Sequence, residues 1–376
     1  MKSILFLMPA LLGGGAEKVL VDIFRNFDYT NYEVTLFLEY EEGVYLQDVP
    51  KEVKLLHLHH KNNIWFQRIH RRLVDRGWYP WFHEAIYRRM FLRVLRNKRY
   101  NTIISFLEGS SVKFHSYIVD RADQNLSWVH IDLLQKHWTS SFFRNTAEER
   151  TCYEKMDKVV FVSNDAKSAF CKLFIFPEDK CVVQYNIIDV NNIRSLSMSG
   201  RPNKEKFTIC MIGRLNRQKR YDRALEVANK LKNHGYEFEI WILGEGELLN
   251  EIKSRIEFDG LSDVVKLKGF VRPPYGYLAQ SDLLLCTSES EGFSLVVAEA
   301  FSLGIPVVST NVSGPRELIG DSEYGILTEQ SPDEIFNAVA ALMDDAELRH
   351  HYSQQGIERS AMFGVEESMR NLYALI

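Results

Sequence analysis

Phe207-Thr-Ile-Cys-Met-Ile-Gly-Arg-Leu-Asn-Arg-Gln-Lys219 repeats a design the chain has already used at Ser3-Ile-Leu-Phe-Leu-Met-Pro9, which runs on to Gly13-Gly-Gly15. In both places a short apolar run leads into a glycine-bearing loop and then a helical pattern, over 16–26 and 221–234. Working outward, the first series predicts further strands over 33–39, 102–106, 127–130 and 158–163. The second predicts strands over 238–243, 264–267, 283–287 and 306–310, then helices over 333–343, 346–355 and 365–376. Strands alternating with helices at these lengths specify a parallel sheet covered on both faces. The pattern lapses around 184–194 and restarts. An α/β chain of two Rossmann-like doubly wound domains follows, covering 1–186 and 187–360. They are expected to face each other across a cleft at the carboxyl ends of the strands. The length of 376 residues agrees, being too long for one ordinary core.

Hydrophobic content of 45% and charged content of 26% are those of a globular protein. No apolar stretch reaches the roughly 20 residues that span a bilayer. The apolar start superficially resembles a secretory signal, but it passes straight into Gly13-Gly-Gly15 without a convincing cleavage site, so it reads as a buried first strand. The five cysteines and eleven histidines show no metal-ligand spacing. Reduced thiols and a cytoplasmic location are expected.

The net charge of −4 hides a local excess. Between Lys61 and Tyr100 stand eleven Lys/Arg against two acids, Asp75 and Glu84, a balance of +9, which leaves −13 elsewhere. Trp65, Trp78, Trp81 and Phe82 are interleaved with these cations. That mixture suits the headgroup layer of an anionic membrane, so peripheral attachment to the inner face of the plasma membrane is expected. No nucleic-acid module accompanies the patch, so no nucleic-acid partner is expected.

Four stretches carry chemistry. Gly213-Arg214 and Lys219 put two cations five positions apart on a loop after a strand, an arrangement that holds a diphosphate. Leu243-Gly244-Glu-Gly246 lets backbone approach a ligand closely. In Glu291-Gly-Phe-Ser-Leu-Val-Val-Ala-Glu299 two carboxylates lie eight positions apart. Read as a helix, that spacing is about 12 Å of rise and leaves both side chains within roughly 80° of each other. The helix N-terminus between them favours a phosphate. In the first half, Ser127-Trp-Val-His130 ends a strand with a histidine. Glu108 and Ser110 sit on an earlier strand-end loop, where they are expected to line an acceptor. A dinucleotide fingerprint at Gly13-Gly-Gly15, with Glu39 for the ribose, competes with these readings. It fails because Lys18 stands at the third glycine position.

In order and spacing, the run from Ile212-Gly-Arg214 through Lys219, Gly269-Phe-Val271, Glu291–Glu299 and Gly314-Pro-Arg-Glu317 resembles the nucleotide-sugar half of retaining glycosyltransferases of family 4, which have the GT-B architecture. The resemblance is close over 207–327 and looser before it. It implies that Arg214 and Lys219 hold the donor diphosphate and that Ser294 and Leu295 present backbone N–H groups to it, with Gly244 and Phe293 completing that wall. Glu299 would bind the ribose, Glu291 would face the sugar, and Phe270 and Val271 would lie along the base. It further implies that Gly14 and Gly15 face the diphosphate, that His130 lies beside the donor sugar, and that a terminal helix over 361–376 packs back on the first domain. Glu291, His130, Arg214 and Lys219 are the expected catalytic set. Arg220 departs from the pattern, since the family usually has glycine there.

No Asp-x-Asp occurs, so no metal and no cofactor are expected; the two cations take the metal's place. The resemblance implies retaining transfer of a hexosyl unit from a nucleotide diphosphate sugar, with a UDP-sugar favoured. The acceptor is expected to be a saccharide, polyprenyl-diphosphate-linked, in bacterial surface glycan assembly. Two other readings stay open: a nucleotide-sugar epimerase on the same fold, and a non-catalytic nucleotide-sugar or membrane-binding module.

Overall fold

The computed structural model describes residues 1–59, 81–96 and 98–376. The Arg71, Arg72, Trp65 and Trp78 portion of the basic aromatic segment lies outside the described residues. The chain divides into two units, Met1–Ile187 with Glu366–Ile376, and Ile188–Val365.

In the first unit seven parallel strands run in the order β3-β2-β1-β4-β5-β6-β7. They are β1 (Lys2–Met8), β2 (Tyr32–Tyr40), β3 (Lys54–His59), β4 (Tyr100–Ser105), β5 (Ala122–Val129), β6 (Lys158–Phe161) and β7 (Cys181–Val183). The strand direction of connection reverses between β1 and β4, so the loops after these two strands flank the crevice where such sheets take ligands. Residues Ile4–Met8 are almost wholly buried, as a central parallel strand requires. The terminal helix Val365–Leu375 belongs to this unit. Its Tyr373 stacks on Tyr32 at 5.3 Å, and its hydroxyl oxygen accepts the Asp28 N–H at 2.7 Å. Gln184 Nε2 donates to the Ser368 carbonyl at 3.0 Å.

The second unit holds six parallel strands in the order β10-β9-β8-β11-β12-β13. These are β8 (Phe207–Ile212), β9 (Phe238–Leu243), β10 (Val265–Gly269), β11 (Leu283–Cys286), β12 (Val307–Thr310) and β13 (Ile326–Thr328). Here the reversal lies between β8 and β11. Leu225, Ala228, Leu231, Ile240, Ile242 and Val339 form the core under the helices on one face.

Three strands escaped the sequence reading. β7 and β13 have only three residues each. β3 is largely half-exposed at an edge of the sheet, so it lacks both apolar continuity and clean alternation.

Candidate functional site

The second unit builds its site at its switch point. Leu215 is fully buried and pins the loop after β8 into the core, and Asn216 caps a short helical turn, Arg217–Lys219, by accepting the Lys219 N–H at 3.3 Å. The next residue, Arg220, has φ 50° and ψ 50°. This is the left-handed conformation for which glycine is the usual choice, so the departure from the family pattern leaves the turn intact. A non-glycine residue there costs about 1–2 kcal/mol. Arg220 meets Asp222 at 2.7 Å and Glu289 at 3.8 Å, contacts that offset part of it.

The loop after β11 is stitched to this turn. Thr287 Oγ1 reaches the Lys219 and Arg220 carbonyls at 2.8 and 3.0 Å, and Gln218 Nε2 donates to the Ser290 carbonyl at 2.8 Å. The result is an ion pair between Lys219 Nζ and Glu291 Oε1 at 2.5 Å, with Ser288 Oγ donating to the same oxygen at 2.7 Å. Gly213 makes room for it, since a Cβ there would lie 3.0 Å from Lys219 Cε. Burial alone would lower the Lys219 pKa, but the Glu291 carboxylate outweighs it and the ammonium is held above its ordinary value. Arg214 on the same loop is exposed and makes no ion pair among the described residues.

The helical reading of the two glutamates is corrected here. The helix spans Leu295–Ser302, so Glu291 lies on the preceding loop and only Glu299 on the helix. Ser294 ends that loop at φ 68°, ψ 75°, which breaks any continuous helix. Its Oγ is buried and has no hydrogen-bond partner among the described residues, and the first turn behind it offers the N–H groups of a helix start. Glu299 is buried and accepts the Tyr275 hydroxyl at 3.1 Å. Phe293 is buried with its ring against Phe363, 5.4 Å between centroids. That contact anchors the loop from beneath. Phe270 is 51% exposed and Val271 half-buried, just past β10. Gly244 is irreplaceable for space, because a Cβ would meet the Gly213 carbonyl oxygen at 1.9 Å.

The first unit carries the remaining candidates. Gly14 caps the helix Gly15–Arg25, yet the loop amides are engaged: Gly13 N–H donates to Glu17 Oε2 at 2.5 Å, and Gly14 N–H donates to the same oxygen. A ligand phosphate would have to displace that carboxylate. His130 follows β5 and gives its Nε2–H to the Phe106 carbonyl at 2.9 Å. Burial drops its pKa to about 4, so near neutrality it is uncharged. A neutral ring with Nε2–H engaged offers only Nδ1, as an acceptor. Such a group orients a hydroxyl and is a poor general acid, which weakens the epimerase reading. Glu108 is 2% exposed and points at His130 and Trp138, so it does not line an acceptor surface as expected. Glu39, the ribose candidate of the dinucleotide reading, is buried, and burial raises its pKa to about 7 even though Ser110 hydrogen-bonds it.

Sequence reasoning passed over Gln218, Thr287, Ser288 and Tyr275. The polar pair Thr287-Ser288 directly after an apolar strand was the available signal.

Two doubly wound parallel sheets define an α/β protein, and in the second unit Arg214, Lys219 and a helix start lie on the loops at the switch point. Residues 13–192 match the family described as Glycosyltransferase Family 4, and residues 193–359 match Glycosyl transferases group 1. The chain belongs to these family-4 glycosyltransferases, with the GT-B fold. It is 32% identical over 213 residues to the N-acetylgalactosamine-N,N'-diacetylbacillosaminyl-diphospho-undecaprenol 4-alpha-N-acetylgalactosaminyltransferase of Campylobacter jejuni, covering 56% of this chain and 57% of that relative. It is 25% identical over 289 residues to the poly(glycerol-phosphate) alpha-glucosyltransferase of Bacillus subtilis, covering 71% of this chain and 42% of that relative. The matches thus span less than two thirds of either relative's length. Among solved structures, Anabaena HepE in complex with UDP superposes with a TM-score of 0.77 at 19% identity, over 100% of this chain and 99% of that one. TarM superposes with a TM-score of 0.77 at 15% identity, over 100% of this chain and 98% of that one.

Proposed function

We propose that the chain is a retaining hexosyltransferase that takes a UDP-sugar and delivers the sugar to a lipid-linked saccharide in bacterial surface glycan synthesis. The observation that carries this reading is the polar construction at the β8/β11 switch point: Lys219 held by Glu291, an exposed Arg214 and a buried Ser294 Oγ at a helix start, the last two without a partner among the described residues. Cations and N–H groups assembled there meet the charge of a nucleoside diphosphate, and they strengthen their hold as the leaving group gains charge. The bond from the sugar C1 to the β-phosphate oxygen breaks while the acceptor oxygen bonds to C1 on the same face. The acceptor proton passes to the departing diphosphate. Arg214 and Lys219 supply the positive charge that a divalent metal supplies elsewhere, so no metal is required. Glu299 holds the nucleoside end and His130 Nδ1 accepts a hydroxyl of the sugar.

Relatives named for a diphospho-undecaprenol acceptor and for poly(glycerol-phosphate) support an anchored acceptor. No helix among the described residues is long and apolar enough to cross a membrane. The helix Trp81–Val94 exposes Ile86, Arg88, Arg89 and Arg93, a surface suited to anionic headgroups.

A thermal-shift panel of UDP-, GDP-, ADP- and dTDP-sugars tests the reading. UDP-sugars should raise the melting temperature, and proton NMR of the product should show the donor's anomeric configuration. Indifference to every nucleotide sugar, or an inverted product, would overturn it.

A further inference from the structure

Phe106–Gly109, the loop after β4, flanks the switch point of the first sheet and holds His130 at two places. Phe106 accepts the ring Nε2–H at 2.9 Å, and Glu108 Oε2 accepts the backbone N–H at 3.0 Å. The other carboxylate oxygen, Oε1, accepts the Trp138 indole N–H at 3.3 Å. Trp138 begins the helical turn Trp138–Phe142, which packs on the same loop. Its ring meets Phe142 edge-on at 5.7 Å. A Cβ at Gly109, φ 86°, would lie 3.3 Å from Phe142 and 3.4 Å from Trp138, so the loop and the turn are fitted to each other.

We infer that Glu108 is a positioning residue for transfer: its carboxylate ties His130 and Trp138 into one rigid edge of the substrate site. The inference rests on the transferase reading and deepens it, since it assigns His130 an orienting partner. Both groups facing Glu108 are N–H donors, and each engages a different oxygen. The ionised carboxylate is the strongest acceptor for both. A glutamine turns its amide N–H towards one donor and loses that bond, while a protonated carboxyl accepts more weakly at its hydroxyl oxygen.

The clamp is therefore sensitive to pH. Burial raises the Glu108 pKa to about 7, against the lowering effect of the His130 and Trp138 hydrogen bonds. The charged or titratable groups packed around it are few. His130 from β5 is neutral near pH 7. Glu149, from the helix Thr146–Glu154, raises the Glu108 pKa further and is itself held by Thr139 at 2.5 Å and His137 at 2.7 Å. Tyr153 on that helix has its pKa pushed well above the ordinary value and stays neutral. Below about pH 7 the carboxyl takes up its proton, and its grip on one of the two donors weakens.

The test combines a readout without substrate and one with it. In the full chain, the Trp138 indole N–H resonance, assigned by Trp138→Phe, should titrate with a midpoint near 7. The titration should vanish in Glu108→Gln. A Trp138 resonance that does not move between about pH 5 and 9, or that titrates equally in Glu108→Gln, overturns the clamp. With the UDP-sugar chosen by the thermal-shift panel, Glu108→Gln should lower kcat about tenfold, the worth of one hydrogen bond to a charged group. The donor KM should hold within about twofold, and the acidic limb of the wild-type pH profile should disappear. Glu108→Gln added to His130→Ala should cost little more, because the clamp acts through His130. Additive losses would overturn the inference. Full turnover by His130→Ala alone, with the indole titration intact, would sink the role given to His130 in transfer and leave the clamp standing.

Discussion

Breaking the Lys219–Glu291 pair from either side should have opposite effects on diphosphate binding. In the structure the ammonium is already matched, Nζ to Oε1 at 2.5 Å, with side chains 21% and 11% exposed. Such a pair stands between an exposed one, worth about 0–1 kcal/mol, and a buried one whose rupture costs about 3–5 kcal/mol. Roughly 1–3 kcal/mol is a reasonable scale here. Lys219→Met removes the donor to the diphosphate and leaves Glu291 its hydrogen bond from Ser288, at 2.7 Å. UDP affinity should fall about 10–100-fold, the size of one charge-assisted contact. Glu291→Gln removes the competitor and keeps the ammonium. UDP should then bind as tightly as to the wild type or up to about tenfold more tightly, while transfer slows because Lys219 is no longer aimed. Isothermal titration with UDP measures the first effect, and single-turnover transfer measures the second. The double variant closes a cycle, which should show coupling near the same 1–3 kcal/mol. If Glu291→Gln loses as much UDP affinity as Lys219→Met, the carboxylate does not restrain the lysine and the reasoning fails.

Three other outcomes are accessible. Arg220→Gly should keep UDP affinity within about threefold and exceed Arg220→Ala in unfolding stability by about 1 kcal/mol, because only glycine relieves the left-handed backbone; equal denaturation midpoints for the two variants would contradict this. Glu39 has its folded-state pKa raised from 4.5 to about 7 by burial, so the folded protein holds its proton more tightly and loses stability as pH rises from about 4.5 through 7. Glu39→Gln should match the wild type near pH 4.5 and exceed it by about 1–3 kcal/mol at pH 8, and a gain that does not change with pH in urea titrations would count against the assignment. Arg88→Glu with Arg89→Glu should reduce sedimentation with phosphatidylglycerol vesicles severalfold while leaving UDP affinity unchanged; equal sedimentation would remove the membrane role from this helix.

What the sequence displayed was the period of the chain and the order of its punctuation. Apolar strands followed by glycine loops repeat at both ends of the molecule, and that repetition needs no knowledge of contacts. Arg214 and Lys219 stand out by residue type and offset from a strand end, whereas the role expected of Glu299 is implied only by the family resemblance. The partnerships were not legible. Gly13 and Gly14 read as a loop open to an anion, but Glu17 three and four positions on folds its own carboxylate onto their amides. Serine, threonine or glycine before an acid at the third helical position is a capping signal, and here it competes directly with the ligand-binding reading of the same glycines. Glu108 looked like an acceptor-side polar residue because it follows a strand. Its actual direction depends on Trp138, thirty residues later, which no local pattern links to it.

Glu291 marks the limit of spacing arguments most clearly. Eight positions fit a helix, and a helix is indeed present, but it starts four residues too late. The interruption is Ser294 in a left-handed conformation, a state that costs a non-glycine residue about 1–2 kcal/mol and leaves no trace in composition. Tertiary contacts hold it: Gly314 packs against the Phe293 backbone, where a Cβ would come within 2.6 Å, and Phe293 is anchored on Phe363. That strained turn does two things a continuous helix would not. It frees the first-turn N–H groups of Leu295–Ser302 at the switch point, and it turns Glu291 back to Lys219 on the neighbouring loop. Both are consequences of one unfavourable dihedral pair held in place by packing, the pattern expected where a fold stores strain to shape a binding site.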